Sequence, residues 1–279
     1  MLPKNKIDFL MTQAKAIRLS IIEMLVNAHS GHTAGPLGLA DIYAWLYFEV
    51  LKHDPKNPTW SERDRLIISN GHTAPVLYAT LAQAGYFPTS ELKTLRRFGS
   101  RLQGHPHREW LPGLETSSGP LGSGLAQAIG MALADRLDTG RTSSRYFYAI
   151  LSDGELDCGA TWEAVMMAGK EKLHNLIVII DRNHIQIGGD TEVVMPLEPL
   201  ADKWRAFNWQ VFETDGHDFS SLAEALDQAK GNFIQPAVII AQTIPGKGVA
   251  EFEGKFEWHG KAPSPVEGAK AIDEIKHHA

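Results

Sequence analysis

Asp153 and Asn183 stand thirty positions apart, each just past an apolar run, "RYFYAIL" before the first and "LIVIID" before the second. Both runs have the composition of strands, and "GATWEAVMMAGKEKL" between them has helical spacing. A right-handed β-α-β crossover makes such strands parallel, so both oxygen-bearing side chains emerge at one edge of a sheet. Ligands of open parallel sheets bind at that edge, outside the carboxyl ends of the strands. A carboxylate with an amide oxygen suits Mg²⁺ or Ca²⁺ and not zinc. Mg²⁺ completes its shell with water and phosphate oxygens. Gly154 lets the backbone approach an anion, and a helix starting near Glu155 brings free N–H groups to the same place. The chemistry expected is a metal-bridged diphosphate. Taken alone, the pair also reads as a turn after one strand and a loop cap after another.

Histidine is the other residue type placed where chemistry is possible. Of the chain's 12 histidines, several fall in glycine-rich stretches: "AHSGHTAGPLG", "SNGH", "GSRLQGHPHREWLPGLETSSGPLGSG" and "WHG". The third stretch is long for a segment without elements of its own, and such loops in compact domains are usually functional. Imidazoles titrate near neutral pH and both give and accept hydrogen bonds, as steps that form an alkoxide or take a hydroxyl proton require. His53, His107, His174, His184 and His217 are assigned to surface or loop positions. Lys247 in "PGKGV" reads equally as a phosphate contact and as a solvated loop lysine.

The elements that must hold these residues are legible from periodicity. Helices are expected over 6–28, over "LADIYAWLYFEVL", "TAPVLYATLAQAG", "PTSELKTLRRF", "LAQAIGMALADRLDTG", "GATWEAVMMAGKEKL" and "SSLAEALDQAKG", and in the tail after "WHGKAPSP". Strands are expected at "DRLIISNGH", "RYFYAIL", "LIVIID", "WQVFETDG" and "PAVIIAQT". Their alternation predicts an α/β fold, a parallel sheet with helices on both faces, and "LIVIID" and "AVIIAQ" are apolar throughout, as doubly covered strands are. Length and the lack of a linker favour a single domain over 1–279. The net charge of −6 argues against a nucleic-acid surface, and no apolar run is long enough for a membrane span. A single cysteine excludes an internal disulfide and suggests a reducing, cytoplasmic setting.

Read together, "SGHTAGPLG", "ISNGHTAPVLYATLAQAGY", "GSRLQGHP", "LPGLETSSGPLGSGLAQAIGMALA", "SDGE", "IIDRNHIQIGG" and "WHG" resemble, in order, the N-terminal part of transketolase, a thiamine diphosphate enzyme. The resemblance covers nearly the whole chain. It implies thiamine diphosphate and Mg²⁺, with Ca²⁺ able to substitute, as cofactors. It implies that Asp153 and Asn183 bind the metal through side chains and Ile185 through its backbone carbonyl. It places Gly154 at the diphosphate, Gly119 and Leu121 along the cofactor's ring end, and His72 at its border. His32, His105 and His259 then line the substrate channel as catalytic residues, with His259 also near the diphosphate. The implied activity is transfer of a two-carbon ketol unit from a ketose phosphate to an aldose phosphate.

Two positions depart from the family pattern. Ser152 replaces the first glycine of the diphosphate motif. Cys158 stands where a glutamate usually relays protons between active sites, with Asp157 or Glu163 as substitutes, or no relay at all. The resemblance stops at the diphosphate-binding domain. Nothing after His259 resembles the pyrimidine or C-terminal domains. A C-terminal partner subunit is therefore expected, in an assembly with two copies of each chain (α2β2). The alternatives left open are a non-catalytic cofactor-binding partner and a deoxyxylulose-phosphate synthase-like or 2-oxo-acid dehydrogenase-like subunit. "GSGLAQAIG" lacks the G-x-G-x-x-G spacing of a nicotinamide dehydrogenase.

Overall fold

The structure, a computed structural model, describes residues 2–140 and 142–278. A five-stranded parallel sheet forms its centre, built from β1 (Arg65–Ile68), β2 (Phe147–Ser152), β3 (Leu176–Arg182), β6 (Gln210–Asp215) and β7 (Ala237–Gln242) in the order β1-β2-β3-β7-β6. A short antiparallel hairpin, β4 (Ile185–Gln186) with β5 (Gly189–Asp190), follows β3. The helices are α1 (Lys4–Ala28), α2 (Ala34–Gly38), α3 (Ala40–Trp45), α4 (Ala74–Gln83), α5 (Gly124–Thr139), α6 (Gly159–Glu171), α7 (Thr191–Val194), α8 (Leu200–Ala206), α9 (Phe219–Lys230) and α10 (Pro265–His278).

Strand side chains alternate between two apolar layers. Tyr148, Ile150, Ile177, Ile179 and Ile239 pack with residues of α1, α3, α4 and α9, whereas Phe147, Ala149, Leu151, Val178, Ile180 and Ile240 pack with residues of α5, α6 and α8. The doubly covered α/β sheet expected from the apolar runs is what the chain forms. Handedness explains which helix goes where. From β1 through β2 and β3 to β6 the chain steps across the sheet in one direction, so right-handed crossovers put α5, α6 and α8 on one face. The return from β6 to β7 reverses the direction and puts α9 on the other. The chain leaves β7 for α10, which packs on α1, while it leaves β3 toward α8 on the opposite face. Neighbouring strands with diverging exits open a crevice at their carboxyl ends.

The structure differs from the periodicity at four places. The expected helix "LADIYAWLYFEVL" is two pieces, α3 and a π-turn over Leu46–Val50, and a separate short helix, α2, precedes it inside the glycine/histidine loop. At Gly38 the backbone runs so close to the β7 exit loop that a Cβ would lie 2.9 Å from the Ile244 carbonyl oxygen. "PTSELKTLRRF" gives only a 3₁₀ turn, Thr89–Thr94, because Arg96 adopts a φ of 59° and its N–H turns back to the Leu102 carbonyl at 2.8 Å. The helix expected near Glu155 is a separate 3₁₀ turn, Gly154–Asp157, and α6 starts only at Gly159. The hairpin, α7 and α8 had no periodic signal.

His217 lies in the turn after β6, as a loop residue, but it is not exposed on the surface. Its Nδ1–H donates to Asp41 Oδ2 (2.6 Å), and its Nε2 accepts the Ile244 N–H (2.8 Å), which fixes the tautomer. Asp41 also takes a two-pronged bond from Arg18 at 3.0 and 2.5 Å, and Arg18 Nε reaches the Leu37 carbonyl at 3.2 Å. Burial alone would raise the Asp41 carboxyl; Arg18 and His217 outweigh it and hold the group below the usual carboxylate range. This clamp ties α1, α2, α3 and the exits of β6 and β7 together. We expect Asp41→Ala to leave the buried Arg18 charge uncompensated and cost about 3–5 kcal/mol, read from urea unfolding. A loss under about 1 kcal/mol would mean that water replaces the carboxylate freely.

Candidate functional site

The in-register pairing of β2 with β3 places Ser152 opposite Asp181, so the two strands end together. Asp153 and Asn183 follow at that edge, 0% and 5% exposed. Asp153 Oδ1 accepts the Gly154 N–H (2.8 Å), and Oδ2 accepts the His184 N–H (2.6 Å) and Arg182 Nη1 (3.2 Å). Burial pushes its carboxyl up against the pull of these donors. Asn183 Nδ2 donates to Asp181 Oδ2 (2.8 Å), while its Oδ1 accepts the Ile185 N–H (3.0 Å). Asp181 also takes the Thr243 hydroxyl at 2.5 Å, and burial, with Asp153 nearby, pushes it up to about 7.

Four loops bring histidines to the same edge. His32 follows α1, and its loop is tied by Thr33 Oγ1 to the Lys261 carbonyl at 2.5 Å. His72 sits in a 3₁₀ turn after β1, Gly71–Thr73. Gly71 there lies against the 118–119 backbone, where a Cβ would come within 2.9 Å of the Gly119 nitrogen. His105 neighbours Gly119 in the long loop. His259 follows the turn Phe256–Trp258. The rings of His32, His72 and His259 form a triangle with centroids 4.9, 5.1 and 5.4 Å apart. Burial, then mutual repulsion, lowers His32 to about 4 and His72 to about 3. Burial lowers His259, and His105 is lowered by burial and Arg96. The rings are neutral at pH 7 and free to give or take hydrogen bonds.

A cavity of about 310 Å³ opens here, lined by His32, His72, His105, Gly119, Leu121, Gly154, Asn183, Ile185 and His259. These are nine of the ten residues singled out from the sequence; the tenth, Asp153, lies beneath the floor. Ser152, Glu155, Gln186 and Ile187 complete the lining. Lys247 is not in it and sits in the β7 exit turn, whose Gly246 N–H donates to the Ala34 carbonyl at 2.8 Å.

The sequence reading missed four residues, Glu155, Ser69, Asn70 and Ser118. Glu155, fully buried, accepts the Ser69 hydroxyl and the Gly122 N–H (2.6 Å), and Ser69 accepts the Gly124 N–H (3.0 Å). One carboxylate thereby joins β1, β2 and the Gly119–Gly124 loop. Asn70 is fully buried with neither Oδ1 nor Nδ2 partnered, and the Ser118 hydroxyl and His32 Nδ1 are also buried without partners. Buried polar atoms normally find partners, so this edge is built for a polar ligand. The signals were there in "SNGH", "SSGP" and "SDGE", but nothing in their spacing distinguished them from turns. Cys158 is half-buried; burial, with Glu155 and Asp157, raises its thiol, and Asp157 and Glu163 are both exposed.

Sheet order, doubly covered strands and an oxygen-rich crevice at the carboxyl edge define a diphosphate-binding α/β domain. Residues 10–278 match the family described as "Transketolase, thiamine diphosphate binding domain", and the chain belongs to it. It is similar over 98% of its length to 98% of the 6-deoxy-6-sulfo-D-fructose transketolase subunit SqwG of Clostridium sp. (strain MSTE9), at 43% identity. It is 41% identical, over 96% of both chains, to one of the subunits of apulose-4-phosphate transketolase from Actinobacillus succinogenes. Among solved structures, transketolase from Leishmania mexicana superposes with a TM-score of 0.91 at 35% identity, over 96% of this chain and 41% of that one. The chain thus spans less than half of that transketolase and nearly all of the subunit relatives.

Among the described residues, no helix is long and apolar enough to cross a membrane. The histidine triangle makes a pH prediction. The folded rings stay neutral below the ordinary value of 6.5, so the unfolded chain binds more protons between about pH 6.5 and 4. Stability is full above that window and falls as pH drops through it, by up to about 1.4 kcal/mol per pH unit for each ring. Thermal unfolding at pH 7, 6 and 5 checks this: the melting temperature of His72→Asn should fall less steeply than wild type. Parallel curves would mean that His72 protonates freely in the fold.

Proposed function

We propose that this chain is the diphosphate-binding subunit of a two-chain transketolase. The observation that carries the reading is the convergence of nine expected residues on one cavity at the carboxyl edge of the sheet. In this reading residues 1–279 act as one diphosphate-binding domain, and the pyrimidine side of the site comes from a partner subunit, two copies of each chain forming the assembly. The similarity to named transketolase subunits supports the partner. The sugar substrates carry an anionic end, a phosphate or a sulfonate, as the names of the relatives suggest for theirs.

Asp153 and Asn183 hold Mg²⁺ through their side chains and Ile185 through its carbonyl, and Gly154 meets the diphosphate. Bound thiamine diphosphate supplies a nucleophilic carbon for attack on the ketose carbonyl. His72 borders it, and Gly119 and Leu121 flank its ring end. His32, His105 and His259, neutral at working pH, orient the sugar hydroxyls and carbonyl and move protons at those oxygens. The half-buried setting of His32, His72 and His259 limits water at the reacting atoms.

Calorimetric titration should find Mg²⁺-dependent thiamine diphosphate binding lost in Asp153→Ala and in Asn183→Ala; unchanged affinity in both would remove the metal assignment. His259→Ala should lower the ketol-transfer rate by about 10²–10⁴-fold with a smaller effect on cofactor affinity. The assay that tests the reading as a whole follows transfer between ketose and aldose after the chain is mixed with its partner. Activity is expected from the mixture and not from the chain alone. Full activity from the chain alone would overturn the two-chain reading.

A further inference from the structure

Arg182 ends β3, one residue before Asn183, and lies outside the cavity lining. Its side chain is 1% exposed. Nη1 donates to Asp153 Oδ2 (3.2 Å) and Thr191 Oγ1 (2.9 Å), and Nη2 donates to Glu192 Oε1 (2.8 Å) and Glu198 Oε1 (3.0 Å). One guanidinium therefore joins the carboxylate under the cavity to the segment that follows the β4-β5 hairpin. The consequence for Asp153 lies in which oxygen is used. Oδ2 takes both Arg182 Nη1 and the His184 N–H, whereas Oδ1 takes only the Gly154 N–H. Two donors fill the lone pairs of Oδ2, and Oδ1 alone keeps one free. A carboxylate gripped at both ends does not rotate to offer two oxygens.

We propose that Arg182 sets the cation preference of this site by restricting Asp153 to a single-oxygen ligand. The inference rests on the metal assignment proposed above. Mg²⁺ demands near-ideal octahedral geometry with short bonds and is satisfied by one carboxylate oxygen with water and phosphate. Ca²⁺ accepts irregular shells of more oxygens and gains from a carboxylate that binds through both. Arg182 withholds the second oxygen and, as a buried cation beside it, draws off part of the charge that would favour a larger, more ionic shell. Thr191, Glu192 and Glu198 hold the guanidinium in place, so the segment after the hairpin shares in the selection.

The experiment titrates thiamine diphosphate into the chain in Mg²⁺ and separately in Ca²⁺ and takes the ratio of the two affinities. Arg182→Lys keeps the charge but loses the fork. Glu192→Gln loosens the fork from a position away from the cavity and tests the same point where a change at Arg182 itself prevents folding. Ligand-supporting residues of this kind commonly move metal affinity by about 10–100-fold. The Mg²⁺-to-Ca²⁺ affinity ratio is expected to fall by roughly 10-fold in Arg182→Lys and by less, in the same direction, in Glu192→Gln. Equal losses with both cations would show a merely structural role, and an unchanged ratio in both variants would likewise overturn the proposal. Metal-independent cofactor binding by the wild-type chain is the different result that would overturn the metal site itself.

Discussion

The register between β2 and β3 is the constraint on which the rest of this structure depends. Because Ser152 pairs with Asp181, β2 and the central strand β3 end within one residue of each other and hand the chain to two short loops at one point of the edge. Side-chain direction alternates along a strand, so a slip of one residue would send every side chain of β2 into the wrong apolar layer. The layers are unforgiving: Phe147 and Leu151 belong to one, Tyr148 and Ile150 to the other. Core packing thus fixes, to the residue, where Asp153 and Asn183 emerge. The polar site inherits its precision from apolar side chains that never touch it.

That edge holds a concentration of buried polarity that is costly without partners. Asp153, Asp181 and Glu155 are all essentially buried, and burial raises each of their carboxyls. Burying an unpaired charge costs several kcal/mol even after relaxation. The chain meets that cost in a different way for each. Glu155 is wrapped by N–H and hydroxyl donors that staple three loops, Asp181 is bonded to Thr243 and Asn183, and Asp153 has a guanidinium beside it. The histidines are handled by neutrality instead of pairing. Three rings within 5.4 Å of one another could not all be charged, and the lowered values of His32 and His72 express that repulsion on top of burial.

Much of this was legible in the sequence, for physical reasons. Long apolar runs bounded by Asp-Gly and Asn have few alternatives to buried parallel strands, so β2, β3 and β7 and the positions of Asp153 and Asn183 beyond β2 and β3 could be placed. The resemblance carried the histidines, Gly119 and Leu121 to one place, which periodicity could not do, because those residues lie in loops whose path is set by distant partners. The clamp of Arg18, Asp41 and His217 shows the limit. Asp41 lies within an apolar helical run and His217 in a turn-like "DGHD", 176 positions away, and no local pattern couples them. The segment after the hairpin, with α7 in it, escaped notice because it is held by Arg182, not by an apolar stripe.

The same logic explains why the histidine loops are ordered without regular structure of their own. A loop carrying a functional ring loses backbone entropy of about 1–2 kcal/mol per residue when fixed, and it has little apolar surface to offset that loss. Here the compensation comes from hydrogen bonds that span the chain. Thr33 reaches the Lys261 carbonyl, the Gly246 N–H reaches the Ala34 carbonyl, and Arg18 reaches the Leu37 carbonyl. Each ties the His32 loop, or α2 directly after it, either to α1 or to the segments on the two sides of His259. His32 and His259 are therefore positioned against each other by a shared set of backbone contacts, not independently by two flexible arms. Loosening one of these ties would displace both rings together, so the geometry of the triangle belongs to the assembled loops and not to any single histidine.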